Sequence, residues 1–243
     1  MAISRVNDNA AMPSGSATAL SVPAPSGVAS GDLLLSLFGL LNASTTVTEP
    51  AGWTQQGGVS VAMGTNLAAR LRSKVAGTEP ASYDWSIPSA VKLGGWVGAY
   101  RGLDATSPIA DVAVVAGAAS TTQATPSVSV PEGGWLVYGV VTRHAPGAAG
   151  LSTWRSSAAS EAKRAELATN AGSADITLAV FDSGDPLAAG AATRTLTSSL
   201  TEQNAVVFAV ALKPAATTPP PVDPPPVDPP PAATELRPGL PIF

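Results

Sequence analysis

The chain has no cysteine. Disulfides, thiolate-held metals and a cysteine nucleophile are excluded together, so packing alone must hold the fold. Histidine is nearly as scarce, His144 being the only one, and a zinc site needs several His, Cys or carboxylate ligands on one ion. Charge is sparse as well: 12% of the 243 residues are Asp, Glu, Lys or Arg, and the net charge is −4. A nucleic-acid groove or a polybasic membrane patch requires clustered Lys and Arg. No such cluster exists, and nucleic acid is not an expected partner. The apolar stretch from Leu33 to Leu41, interrupted by Ser36, is too short to span a bilayer. No membrane insertion is expected. The opening residues Met1 to Asn9 lack the charged start and apolar centre of a secretion signal, which implies cytoplasmic synthesis without a signal peptide.

What is present is β-pattern. Leu67, Ala69, Leu71, Ser73 and Val75 alternate with Ala68, Arg70, Arg72 and Lys74, the period-two signature of a half-buried strand. Further strands are expected at Gly31 to Leu41, Gly95 to Tyr100, Ile109 to Ala116, Ser127 to Val130, Trp135 to Thr142, Ile176 to Phe181 and Asn204 to Leu212. Leu33 to Leu41 and Ala205 to Leu212 are apolar on both faces, so they belong in strands covered from both sides. Turn clusters such as Glu49-Pro50-Ala51-Gly52 and Asp182-Ser183-Gly184-Asp185-Pro186 separate them. Many short strands between turns predict an all-β antiparallel sandwich. Ser156 to Thr169, rich in Ala, Glu, Lys and Arg, fits a short helix and a polar edge strand equally well.

The chain also answers itself. Gly31-Asp32-Leu33-Leu34 matches Gly134-Trp135-Leu136-Val137, Trp53 matches Trp154, Leu67 to Val75 matches Ile176 to Asp182, and Gly95 to Arg101 matches Val206 to Leu212. Two similar halves, about 29–103 and 132–214, are thus expected within one sandwich domain, 1–214. After it comes a proline-rich spacer, 215–234. Pro219-Pro220-Pro221-Val222-Asp223 recurs as Pro224-Pro225-Pro226-Val227-Asp228, and polyproline II at about 3.1 Å per residue separates the ends of such a run by about 40 Å. An apolar peptide, 235–243, follows, with Leu236, Leu240, Ile242 and Phe243 as expected docking anchors for a partner.

Gly31-Asp32-Leu33-Leu34, Pro50-Ala51-Gly52-Trp53-Thr54, Lys74-Val75-Ala76-Gly77, Glu79-Pro80-Ala81-Ser82-Tyr83-Asp84-Trp85 and Ala99-Tyr100-Arg101-Gly102, in that order, carry a resemblance. The chain resembles the jelly-roll-like β-sandwich domains of minor tail and other virion structural proteins of tailed bacteriophages that infect high-GC bacteria. The resemblance spans roughly Ala29 to Pro214 and rests on turns and strand ends. It implies a non-enzymatic, oligomeric virion component without a cofactor, located on the phage particle, its partners being other virion proteins and copies of itself. A minor tail protein is the first expectation; a capsid decoration or head-fibre protein and a carbohydrate-binding host-adhesion module are the alternatives.

Candidate sites are few. His144, read as lying in a Thr142 to Gly147 loop, has no Gly-x-Ser-x-Gly elbow to serve, so no catalytic residue is expected. Asp182 and Asp185 read as a strand-ending turn before a calcium site. Glu49, Glu79 and Asp84 read as surface turn residues without the supporting pattern of a glycosidase pair. Among the five tryptophans, Trp96 and Trp135 read as core, whereas Trp53 and Trp154, at equivalent places after turns, are the candidates for stacking on a cell-surface glycan.

Overall fold

The computed structural model describes residues 2–57, 61–63, 66–144, 152–169 and 175–216. Among the described residues the fold is all-β, and every strand pairing is antiparallel. The first half contains β1 (Ser4–Ala11), β2 (Ala17–Pro23), β3 (Leu33–Leu41), β4 (Thr54–Gln55), β5 (Val61–Met63), β6 (Leu67–Val75), β7 (Ser82–Val91) and β8 (Leu93–Arg101). The second contains β9 (Ile109–Gly117), β10 (Thr122–Ala124), β11 (Val128–Val130), β12 (Trp135–His144), β13 (Trp154–Ser156), β14 (Ala162–Ala168), β15 (Ile176–Asp182), β16 (Gly190–Ala192), β17 (Thr195–Ser198) and β18 (Glu202–Leu212).

Two large sheets form the middle of the molecule. One runs β1-β8-β3-β6-β4, with β5 also on β6; the other runs β14-β15-β12-β18-β9. Successive side chains of a strand point to opposite faces, and the central strands are apolar on both. Leu33, Leu35 and Leu37 of β3 meet Trp135, Val137 and Val141 of β12 and Val206, Phe208 and Val210 of β18 in a core between the sheets. The opposite faces close two outer cores. Leu34, Phe38 and Leu40 lie under the β2–β7 pair with Leu20, Val22, Tyr83 and Trp85. Leu136, Tyr138, Val140 and Val207 lie under β11–β16 and β10-β17-β13 with Val128, Trp154 and Leu196. The result is four stacked layers, which explains why β3 and β18 read as continuous apolar runs. Each fully buried Leu or Val contributes roughly 1.5–3 kcal/mol. Where β3 crosses β12 the sheets approach so closely that a Cβ on Gly39 would lie 2.6 Å from Val141 Cγ1.

The two large sheets repeat one another strand for strand: β1-β8-β3-β6 has the same order as β9-β18-β12-β15. Matching strands begin at Ser4 and Ile109, well before residues 29 and 132. The turns entering β3 and β12 fix the spacing. Asp32 N–H bonds Ala29 O beside Gly31 at φ 93°, and Gly134 N–H bonds Pro131 O beside Gly133 at φ 70°. Gly31 therefore corresponds to Gly133, and the match of Gly31 with Gly134 is one residue out of register. A one-residue slip turns every side chain to the other face; the observed spacing keeps Leu33 and Trp135 together in the central core.

Within Ser156 to Thr169 a turn leads into strand rather than helix: β14 is a polar edge with a bulge between Lys163 and Ala165. Arg70 and Arg72, expected on a solvated face of β6, are instead tucked inward; Arg72 is 6% exposed, and both guanidinium groups hold Glu49. A full layer covers the face that alternation alone left open.

Candidate functional site

Three features converge where the second half ends. Past β18, Lys213 N–H bonds Pro108 O, Asp104 N–H bonds Lys213 O, and Ala215 N–H bonds Gly102 O, all at 2.9–3.0 Å. Leu103 and Pro214 form a bridge in the same ladder. The crossover between the halves, residues 102–108, thus clips the segment that leaves the body. Gly102 is required here: its φ is +83°, and a Cβ would lie 2.2 Å from Ala2 O, so the residues before β1 press on the same corner. Asp104 locks the crossover by accepting from the N–H groups of Thr106 (3.0 Å) and Ser107 (2.9 Å) and by facing Lys213 Nζ at 2.9 Å. The Lys213 ammonium, then the Thr106 hydroxyl and the two N–H groups, hold its carboxyl well below the usual carboxylate range.

Beside the clip lies a shallow groove of about 530 Å³ lined by Ala2, Glu132, Gly133, Pro186, Pro214 and Ala215, among others. Its one carboxylate, Glu132, accepts from Ala189 N–H at 3.0 Å. Among the described residues this lining holds no nucleophile and no metal-ligand set; chemically it is suited to apolar contact. The anchors Leu236, Leu240, Ile242 and Phe243 and the prolines 219–231 lie outside the described residues.

His144 is not in a loop. It closes β12 at a bulge after Arg143, is 1% exposed, and sits in a buried polar cluster. Its Nδ1 is 3.2 Å from Glu202 Oε2, and its Nε2 faces the Ser152 hydroxyl and Thr177 Oγ1. Ser152 and Ser198 both donate to Glu202 Oε1, the latter at 3.0 Å. Serine, histidine and glutamate are thus within reach of one another, as in a hydrolase triad. Ser152 is only 2% exposed, however, and its proton is engaged by Glu202, which leaves no open face for a substrate carbonyl. The cluster pairs buried polar groups with one another inside the second half, and Glu202 Oε2 has no hydrogen-bond partner beyond its 3.2 Å approach to His144 Nδ1. The Ala145-Pro146-Gly147 sequence suggested a loop and concealed it; Glu202 is 58 residues away and carries no local signal.

Asp182, considered for calcium, has both oxygens engaged by Arg164 at 2.7 and 2.6 Å and accepts the Tyr100 hydroxyl at 3.3 Å. It ties the two large sheets together across the halves. Burial first, then Asp182, raises the Tyr100 phenol well above its ordinary range. Among the described residues no three His, Asp or Glu side chains converge as a metal site would require. Glu49 and Glu79 are ion-pair partners, of Arg70 and Arg72 and of Lys74, and are not set across a sugar cleft. Asp84 meets Ser82 at 3.3 Å.

The two glycan candidates lie in different surroundings. Trp154 is fully buried in the outer core of the second half, so it has no face free to stack on a sugar. Trp53 is half-buried and packs edge-on against Tyr83, ring centroids 5.1 Å apart. A polar groove of about 520 Å³ runs past Trp154 along Arg155, Glu161, Lys163 and Glu166; three of these charges pair locally, Lys163 with Glu166 and Glu161 with Arg194. Trp96 and Trp135 lie in the central core as expected. No protein-family model, curated protein or solved structure matches the chain.

Proposed function

We propose that the chain is a non-enzymatic structural protein of a tailed-bacteriophage virion, a minor tail protein whose layered body is displayed while the segment after Ala216 anchors it to partner subunits. The observation that carries this reading is the clip. The crossover between the halves fixes the backbone of residues 213–215 by three hydrogen bonds, so the proline-rich run begins from a defined point on a rigid body. A stiff spacer conveys position only when its root is held.

We further read each half as a jelly roll. In an eight-stranded jelly roll the first, eighth, third and sixth strands share one sheet and the second pairs with the seventh. The orders β1-β8-β3-β6 and β2–β7 support this, as do β9-β18-β12-β15 and β11–β16. The departure is that β4 and β5, like β14, join the large sheet. Jelly rolls serve in viral shells and lectins alike, so the fold by itself does not choose a duty; the clip, with the proline-rich sequence after it, supports the anchored reading. The test is quantitative mass spectrometry of virions purified through a density gradient, separately for heads and tails. The expected result is the chain in the tail fraction at a fixed ratio to other tail proteins. Presence in heads alone would favour the decoration alternative, and absence from particles would end the virion reading.

A further inference from the structure

One place on the body and one stretch of the sequence are complementary in kind. The place is the groove beside the clip, where Ala2, Pro186, Pro214, Ala215 and Ala216 surround a single charged residue, Glu132. Glu132 is exposed. Its Oε2 accepts from Ala189 N–H, while among the described residues Oε1 has no partner and no Lys or Arg pairs with the carboxylate. The stretch is the apolar peptide 235–243. Its Arg237 is the only Lys or Arg after Ala216, and Leu236, Leu240, Ile242 and Phe243 lie around it. A guanidinium set among apolar side chains fits an apolar groove that holds one carboxylate oxygen in reserve. Pro238 and Pro241 reduce the freedom such a peptide loses on docking.

Reach decides whose peptide the groove takes. Ala215 and Ala216 line the groove, so it lies at the root of the spacer. At the polyproline II rise, residues 219–231 separate their ends by about 40 Å. The steps from Ala216 to Pro219 and from Pro231 to Arg237 number nine, and nine residues span at most about 32 Å. With its spacer extended, a chain therefore cannot return its Arg237 to its own Glu132. The spacer itself has the wrong sign for the site, its charges being Asp223 and Asp228.

We propose that the groove beside the clip receives the peptide 235–243 of a second copy of this chain, with the incoming Arg237 on Glu132 and the apolar anchors against Pro186 and Pro214. Every copy carries both sides of the contact. Mutual exchange between two copies closes a dimer, and donation in one direction builds a ring or a longer chain. The inference rests on the anchoring role read above for the segment after Ala216 and names its acceptor; it requires no particle.

The absence of native cysteine makes the test direct. The full chain carrying Ala215→Cys in the groove and Pro238→Cys beside Arg237, with the charge pair left in place, is treated with a short bis-maleimide and run on a denaturing gel. Covalent dimers and larger species are expected, and they should vanish when synthetic peptide 235–243 is added in excess. A cross-link confined to monomers would show a chain holding its own peptide, and no cross-link would show a groove without one; either overturns the proposal. Sedimentation equilibrium of the unmodified full chain and of Arg237→Glu gives a second reading should Ala215→Cys disturb the clip. Self-association is expected to weaken about tenfold in R237E and to return when Glu132→Arg is added to it. A wild-type chain that stays monomeric, or an R237E chain that associates as tightly, overturns the proposal. Self-association through the groove by a chain missing from particles would end the virion reading alone, whereas incorporation of a chain that fails both tests would end this inference alone.

Discussion

Replacing Asp182 by Ala removes the group on which the two halves meet most specifically. The carboxylate takes both arms of Arg164 and the Tyr100 hydroxyl, and it is fully buried. Its loss leaves a guanidinium and a phenol facing each other between the sheets. Breaking a buried pair from one side costs about 3–5 kcal/mol. The Arg164 side chain keeps 18% of its surface exposed and so recovers part of its hydration, which puts the cost near the lower end. At about 2–4 °C per kcal/mol for a domain of this size, a 3 kcal/mol loss lowers Tm by roughly 6–12 °C. Tyr100→Phe deletes one longer hydrogen bond and should cost about 1 kcal/mol. The double variant D182A/Y100F should cost less than the sum, because its second change removes a hydroxyl already stripped of its acceptor. Arg164→Met added to D182A should recover much of the loss by removing the stranded charge. Urea unfolding followed by tryptophan fluorescence reads all four. A D182A variant within 1 kcal/mol of wild type, or strict additivity with Y100F, would refute the claim that this contact joins the sheets.

Further expectations concern pH and packing. All three tyrosines are held above the ordinary phenol range, by burial first and then by Glu79 at Tyr83, Asp182 at Tyr100 and Glu161 at Tyr138. A raised folded-state value means stability that is intact below about pH 10 and lost as pH rises further, so phenolate absorbance at 295 nm should appear only with cooperative unfolding; one tyrosine titrating reversibly near pH 10 would contradict this. Burial by itself would raise Asp32, Glu49 and Glu79, but Arg101, Arg72 with Arg70, and Lys74 respectively outweigh it and hold all three below their ordinary values. Their contribution is present above about pH 4.5 and is lost as pH falls through the depressed values, giving an acid transition that begins below about pH 4; Glu49→Gln should make thermal stability less sensitive to pH in that range. Gly39→Ala places a Cβ against Val141 and should cost about 1–3 kcal/mol by thermal melting, with Val141→Ala in the same chain relieving most of it.

Much of the large-sheet framework was legible: β3, β12 and β18 declare themselves as long apolar runs, and β6 by the alternation of its apolar residues with Arg70, Arg72 and Lys74. β1 did not. As a polar edge, with Arg5, Asn7, Asp8 and Asn9 in eight residues, it gives no alternation to detect. β7 contains Pro88, which argues against a strand; the register opposite Ala17 to Ala19 jumps from Val91 to Ser86, and the proline falls in the unpaired run. The repeat was visible but misaligned, since the glycine pairs 133–134 and 94–95 make a one-residue slip cheap in sequence and only the pleat penalises it. Most distant from sequence were the pairs that join remote segments, Tyr100 with Asp182, Lys92 with Asp175 and His144 with Glu202. Each partner lies more than fifty positions away. For the candidate site, the proline run pointed to the segment beyond the body, whereas the clip that holds its root depends on a crossover with no motif of its own.

Removing everything after Ala216 leaves the clip intact and deletes the spacer and the apolar peptide. Incorporation of this truncated chain into particles, measured beside the full chain in a phage deleted for the native copy, tests the display-and-anchor account most directly. The account predicts a truncated body with the melting temperature of the full chain that is absent from purified particles. Incorporation at the full-chain level would contradict it and place the docking surface on the body.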